Sequence, residues 1–263
     1  MICKKRPNGT PYAWSDLVAE LDHWAEAGRV ATMWWRDDDA MTTTPELERL
    51  LALAEGVPLV LAVIPAAAEP ELADALAARP DVVVVQHGWR HANHAGEGKK
   101  NEFPQRRQPD HVAAELAAGR ARLAALFGDA AWPALAPPWN RFDVPFLPLL
   151  PQAGIVALSR MAPRAADEPA PPVAEIDVHL DVVGWREGGG FIGEAAALGA
   201  IVAELEGHRF GDEAEEPIGL LTHHLVMDDA TATFLGRLTA LVADHPAVRW
   251  AGAAELFSAG ARG

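Results

Sequence analysis

Asp81-Val82-Val83-Val84-Val85-Gln86-His87-Gly88-Trp89-Arg90-His91 is the stretch whose reading decides the fold. Four successive valines suit a strand buried on both faces, because β-branched side chains fill a pleated surface and an unbroken apolar run leaves no face for water. Strands of that kind belong to parallel sheets flanked by helices, and both neighbours of this one read as helical. Pro70 to Arg79 precedes it; after a polar loop from Ala95 to Pro109, Asp110 caps a long Ala/Leu/Arg helix that stops at Gly128.

The alternation continues outward in both directions. Upstream, Ser15 caps a helix whose Leu17, Val18, Leu21 and Trp24 share a face, and Val30 to Arg36 reads as the next strand. Thr44-Pro45 is a cap with proline at the first helical position, followed by the apolar stripe Leu47, Leu50, Leu51 and Ala54 and by the strand Pro58 to Ile64. Downstream strands are expected at Trp132 to Ala136, Ile155 to Leu158, Ala174 to Leu180, Ile218 to Thr222 and Ala247 to Trp250. Helices are expected near Val144 to Leu150, Gly193 to Glu206 and Asp229 to Ala243. Some eight strands interleaved with helices point to parallel βαβ units, as a closed barrel or a doubly wound sheet. Residues 1–263 read as one domain, with the proline-rich Met161 to Val173 as a surface loop.

The 263 residues carry 22 Lys+Arg against 37 Asp+Glu, a formal charge of −15, and half of them are hydrophobic. That length buries a full core without staples, and Cys3 is the single cysteine, so a disulfide scaffold is excluded. The acidic balance argues against nucleic acid or an anionic membrane as a partner. No stretch approaches the ~18 apolar residues of a bilayer span. The basic Lys4-Lys5-Arg6 has no apolar run behind it, so a cytoplasmic protein is expected.

In a parallel α/β architecture the chemistry gathers at the carboxyl ends of strands. The first strand ends in Arg36-Asp37-Asp38-Asp39, three adjacent carboxylates that need a cation, an arginine or shared protons, unless they form an acidic loop with a helix cap. The valine strand runs into His87, His91 and His94. His87 and His91 stand four apart, as on one side of a helical turn, and two imidazoles with a carboxylate suit zinc and leave positions open. Thr222-His223-His224 ends a later strand, as chemistry or as a pair capping the sheet. In Glu175 to Asp181, alternation would put Asp177, His179 and Asp181 on one face, an ordinary half-exposed strand or a barrel interior.

In order, Asp38-Asp39, His87-Gly88-Trp89-Arg90-His91, Pro137-Pro138-Trp139-Asn140, Asp181 with Trp185, and Leu221-Thr222-His223 resemble the motifs of the polysaccharide deacetylase family, the NodB-homology or carbohydrate esterase family 4 domain. The resemblance spans about residue 30 to about residue 224. It implies a distorted (β/α) barrel of about seven to eight parallel strands and a divalent metal, zinc first with cobalt, manganese or nickel as alternatives. It further implies hydrolysis of an acetyl or similar acyl group from an N-acylated carbohydrate. Carried over, Asp39, His87 and His91 would bind the metal and Asp38 would be the general base. His223 would be the general acid, Asp181 would orient it, and Trp139, Asn140 and Arg141 would contact a small-molecule or oligosaccharide substrate.

The chain departs from the family pattern in several places. Arg36-Asp37-Asp38-Asp39-Ala40 replaces the usual Thr-Phe-Asp-Asp-Gly, so Asp37 as base and Asp38 as ligand stays open. The third-motif arginine is Ala136; Arg36 or Arg141 could supply its charge. His94 is an additional histidine, and His224 competes with His223. Trp34, Trp35, Trp89, Trp139 and Trp185 sit beside the motifs, to stack on a sugar or wall an acyl pocket, or simply as core. Lys99, Lys100, Arg106 and Arg107 form a basic cluster, a lid, an anion contact or a solvated loop. Two other functions remain open: a non-catalytic metal- or ligand-binding barrel, and an amidohydrolase of a non-carbohydrate amide. No feature of the sequence speaks to oligomeric state.

Overall fold

A computed structural model of the chain describes residues 9–211 and 216–259. Cys3 and Lys4-Lys5-Arg6 lie outside them. Helix α1 (Trp14–Glu26) leads into strand β1 (Ala31–Ala40), α2 (Pro45–Leu53), β2 (Leu59–Val63), α3 (Pro70–Leu76), β3 (Val82–Gln86), α4 (Pro109–Phe127), β4 (Ala131–Leu135), α5 (Leu149–Gln152) and β5 (Ala157–Leu158). Then come β6 (Ala174–Glu175), β7 (Leu180–Asp181), the hairpin β8 (Val183–Gly184) and β9 (Gly190–Phe191), α6 (Glu194–Phe210), β10 (Ile218–Thr222), α7 (Asp229–Asp244), β11 (Val248–Trp250) and α8 (Ala253–Ala259).

The main sheet runs β6-β5-β4-β3-β2-β1-β10-β7, with every pair parallel and β11 joined to β1. Its two outer members, β6 and β7, belong to one short segment. That segment pairs with β5, bridges Met161 through Val178, and then pairs with β10, so it is the seam that curls the sheet into a distorted barrel. The continuous strand expected from Ala174 to Leu180 is therefore two. Asp177, His179 and Asp181 do not share a single face. Asp177 Oδ1 accepts from the Arg160 N–H at 2.7 Å, and His179 Nδ1 accepts from the Gly219 N–H at 3.0 Å. Asp181 continues to the end of β7.

Side-chain alternation along the strands sorts the core into two layers. Trp34, Val60, Ala62, Val85, Ala134, Ala157, Val178 and Leu221 come from strands all around the sheet and pack into one cluster, which requires a shared interior. Small residues accommodate the large Trp34 indole there: Gly219 lacks the Cβ that would meet Trp34 Nε1. Leu256 and Phe257 of α8 close the floor, with Phe257 against Trp132 at the start of β4. Met33, Trp35, Leu59, Leu61, Val84 and Leu220 face the other way, into the layer of helices.

One cap forms as expected, with Thr44 Oγ1 accepting from the Leu47 N–H at 3.1 Å; Asp228, just ahead of α7, caps that helix by accepting from the Thr231 N–H at 2.7 Å. Two others shift. Ala13 is the cap of α1, whose own N–H donates to Asp16, and Gln108 is the cap of α4, which places Asp110 in the first turn. No helix among the described residues is long and apolar enough to cross a membrane.

Candidate metal centre

The carboxyl ends of the strands meet at the barrel mouth, and β1 supplies three carboxylates there with three different fates. The ladder between β1 and β2 shifts register between Asp37 and Ala40, and within this bulge Asp39 takes φ 74°, a left-handed conformation costly for a side chain. The bulge turns Asp39 toward the loop after β3. Its Oδ1 lies 3.1 Å from His87 Nε2 and 3.2 Å from His91 Nε2. These three ligand atoms all lie within 4.8 Å of one another.

The histidines do not converge through a helical turn, as their spacing suggested. The chain doubles back in a left-handed turn, with φ 60° at Gly88 and 57° at His91, and the imidazoles stack at 5.3 Å between centroids. Glu102 holds this turn from the far side of the loop. Its buried carboxylate accepts from the N–H groups of Trp89, Arg90 and Ala92 at 3.2, 2.8 and 3.4 Å. A Cβ at residue 88 would collide with Glu102 and with the Pro138 ring, so glycine is needed both for its φ and for the close approach. Sequence reading missed Glu102, one of two glutamates in a polar loop.

The donor set fits a cation. His87 Nδ1 lies 2.8 Å from the Ala136 carbonyl oxygen, which can only accept, so Nδ1 carries the hydrogen and the neutral ring presents a bare Nε2. That lone pair faces Asp39 Oδ1, a buried oxygen without a hydrogen-bond donor. Two electron-rich atoms held face to face are stable only with a positive charge between them. The local electrostatics make the same demand. Burial pushes His87 down, yet Asp38 and Asp39 overcome it and raise the ring above its ordinary value. Burial pushes Asp39 up, but His87, His223 and His91 outweigh it and hold the carboxyl well below the usual range. Burial lowers His91.

Asp38 points into the barrel beside Arg36, two residues earlier on the same strand and so on the same face. The buried guanidinium donates from Nε to Asp38 Oδ1 at 2.8 Å and from Nη2 to Oδ2 at 3.0 Å. Its three remaining hydrogens go to Ser159 Oγ at 2.7 Å, the Ser159 carbonyl at 3.1 Å and Asn140 Oδ1 at 2.6 Å. Of the two arginines that could supply a charge in place of one at position 136, Arg36 is the one paired with Asp38. Arg141 instead donates to the Lys100 carbonyl at 2.8 Å.

Across the mouth, His223 Nδ1 lies 3.9 Å from Asp181 Oδ1 and is buried without a hydrogen-bond partner. Burial raises Asp181. Asp181 also accepts from Trp185 Nε1 at 2.8 Å, and the half-exposed Trp185 meets His223 edge-on at 4.8 Å. On the opposite wall Trp139, with φ 57°, packs on His91 at 4.4 Å, and Lys100 Nζ sits 5.8 Å from its ring. Asn140 has its carbonyl committed to Arg36. Trp34 and Trp35 are fully buried core, and His94 lies outside the Asp39–His87–His91 group. In the basic cluster, Arg107 pairs with Glu115 at 2.7 Å and Arg106 donates to the His94 carbonyl at 2.5 Å.

No protein-family model matches the chain, and no curated protein matches it. Solved structures do. A Mycobacterium smegmatis protein assigned to the polysaccharide deacetylases is 20% identical with a TM-score of 0.66, over 98% of this chain and 95% of that one. A family 4 carbohydrate esterase from Streptomyces lividans, in complex with acetate, is 13% identical with a TM-score of 0.53, over 84% and 91% of the two chains. The chitin deacetylase of the fungal pathogen Colletotrichum lindemuthianum is 14% identical with a TM-score of 0.54, over 87% and 88%. At these identities the likeness establishes the fold: the chain has the distorted barrel of the polysaccharide deacetylases.

Proposed function

We propose that the chain is a metal-dependent hydrolase that removes an acetyl or similar acyl group from an N-acylated carbohydrate. The observation that carries this is Asp39 Oδ1 without a donor between two imidazole nitrogens, with Asp38–Arg36 on one side and His223–Asp181 on the other. Two imidazole nitrogens and one carboxylate oxygen suit zinc, with His87, His91 and Asp39 as its holders. When bound, the ion polarises the acyl carbonyl and lowers the pKa of a coordinated water.

The chain's own groups do the rest. Asp38, oriented by two parallel hydrogen bonds from Arg36, is placed to take a proton from the attacking water. His223, beside Asp181, is placed to give one to the departing nitrogen, which leaves as an amine rather than an amide anion. Trp139 and Trp185 present indoles on opposite sides of the mouth, surfaces on which a pyranose ring stacks. The solved structures with this fold include enzymes described as polysaccharide and chitin deacetylases, which supports a carbohydrate substrate. The absence of arginine at position 136 was the feature favouring a non-catalytic barrel; the pairing of Arg36 with Asp38 supports the catalytic reading instead. His87→Ala is expected to abolish uptake of a divalent ion, whereas Asp38→Asn keeps the ion and loses acetate release. Loss of the ion in Asp38→Asn with retention in Asp39→Asn would reverse the two aspartates' roles.

A further inference from the structure

The first aspartate of the triplet and the second histidine after β10 have no part in that reaction, yet they form a pair as deeply buried as Arg36 and Asp38. Asp37 and His224 are both buried and touch through Oδ1 and Nδ1 at 2.5 Å. Asp37 Oδ2 accepts from Thr222 Oγ1 at 2.6 Å, and Trp35 Nε1 donates to that same hydroxyl at 2.9 Å. Asp37 and Thr222 are direct partners in the β1–β10 ladder. All four groups lie on the helix-facing side of the sheet, where the His224–Val226 turn packs against α2.

The consequence lies in what stands between the gripped residues. One carboxylate holds Thr222 and His224, the neighbours of His223 on either side. With both turned outward, alternation sends His223 to the mouth. On its own strand Asp37 is the last residue in regular register with β2 before the bulge. Two positions later Asp39 sits at φ 74°, a conformation that persists only where its surroundings over-determine it. Arg36 fixes Asp38; the clamp on Asp37 fixes the start of the bulge. Packing alone would be served by apolar residues of similar size, so a fully bonded polar cluster points to placement of the strands.

We propose that Asp37, locked by His224 and Thr222, is a positioning residue that holds Asp39 in its left-handed conformation and His223 in register across the mouth, so that the affinity of the centre for a divalent cation depends on His224. This rests on reading Asp39, His87 and His91 as a metal site.

The test is a cobalt(II) titration of the full chain, followed by the visible spectrum, for the wild type, His224→Asn and His224→Ala. An asparagine Nδ2 occupies the place of the imidazole Nδ1 and can donate to Asp37; alanine cannot. The expected result is wild-type affinity within about threefold for His224→Asn and a loss of about tenfold or more for His224→Ala, with unchanged far-ultraviolet circular dichroism. Thr222→Val, which removes the second donor to Asp37, is expected to weaken cobalt similarly and serves if His224→Ala does not fold. Wild-type affinity in His224→Ala or, where that variant does not fold, in Thr222→Val overturns the inference and leaves the metal centre standing. Equal losses in His224→Asn and His224→Ala overturn it too, because hydrogen bonding to Asp37 would then be irrelevant. A wild-type chain that takes up no cobalt overturns both readings.

Discussion

Asp37, Asp38 and Asp39 are identical side chains in sequence and unlike ones in place: one is clamped by His224, one is paired with Arg36, and one faces two imidazoles. Arg36 is the residue most exposed to test. Arg36→Met would leave Asp38 buried beside an apolar side chain, and stripping one partner from a buried pair costs about 3–5 kcal/mol. Arg36→Lys keeps a charge but not two parallel bonds, so its loss should appear in kcat, by roughly 10²-fold, with KM little changed. Equal kinetics for wild type and Arg36→Lys would show that orientation of Asp38 is unimportant. Much of this site was legible in the sequence, because a carboxylate triplet and paired histidines after apolar strands are costly unless used. Arg36 was legible only as one of two options, since choosing it over Arg141 depends on which side of the barrel each faces. Glu102 was not legible at all: its partners are backbone N–H groups, which carry no residue identity.

Among the elements, the seam between β6 and β7 departs furthest from its expected form. The periodicity of residues 174 to 181 is that of a strand, but which neighbours it pairs with is decided by curvature elsewhere in the sheet, and it changes partners midway. Two buried titratable groups result. Burial pushes Asp177 up to about 6 and His179 down to about 4. A carboxyl whose folded pKa exceeds its unfolded value favours the fold when protonated, so the contribution of Asp177 declines as pH rises from about 4 to about 6. An imidazole with a depressed folded pKa does the opposite: the contribution of His179 is complete above its ordinary 6.5 and is lost as pH falls toward about 4. The two cancel in the wild type and separate in variants. Relative to wild type, Asp177→Asn should gain stability as pH rises, by up to about 3 kcal/mol, and His179→Asn should gain as pH falls. Urea unfolding at pH 4.5 and 7.5 checks both signs; variants whose differences from wild type are the same at both pH values would refute them.

For the whole molecule, the alternation of apolar strands and capped helices was readable because each strand ends where its apolar run ends. The barrel rather than an open sheet came from the resemblance, and the solved structures bear it out. Its architecture separates the floor, closed by Phe257, from the mouth that holds the centre. Phe257→Ala should therefore cost about 3–5 kcal/mol of stability while leaving cation affinity unchanged. Part of the −15 charge lies at that mouth, in Asp38, Asp39 and Asp181, where a bound cation would offset it. An ion that binds only the folded chain should raise stability by about 2.7 kcal/mol at a hundredfold excess over its Kd. The most direct test of the account is acetate release from a panel of N-acetylated sugars by protein purified without chelator, then stripped, then resupplied with zinc or cobalt. Release should vanish on stripping and return with the metal; no release in any of the three states, from any sugar of the panel, would rule out a metal-dependent deacetylase of this kind.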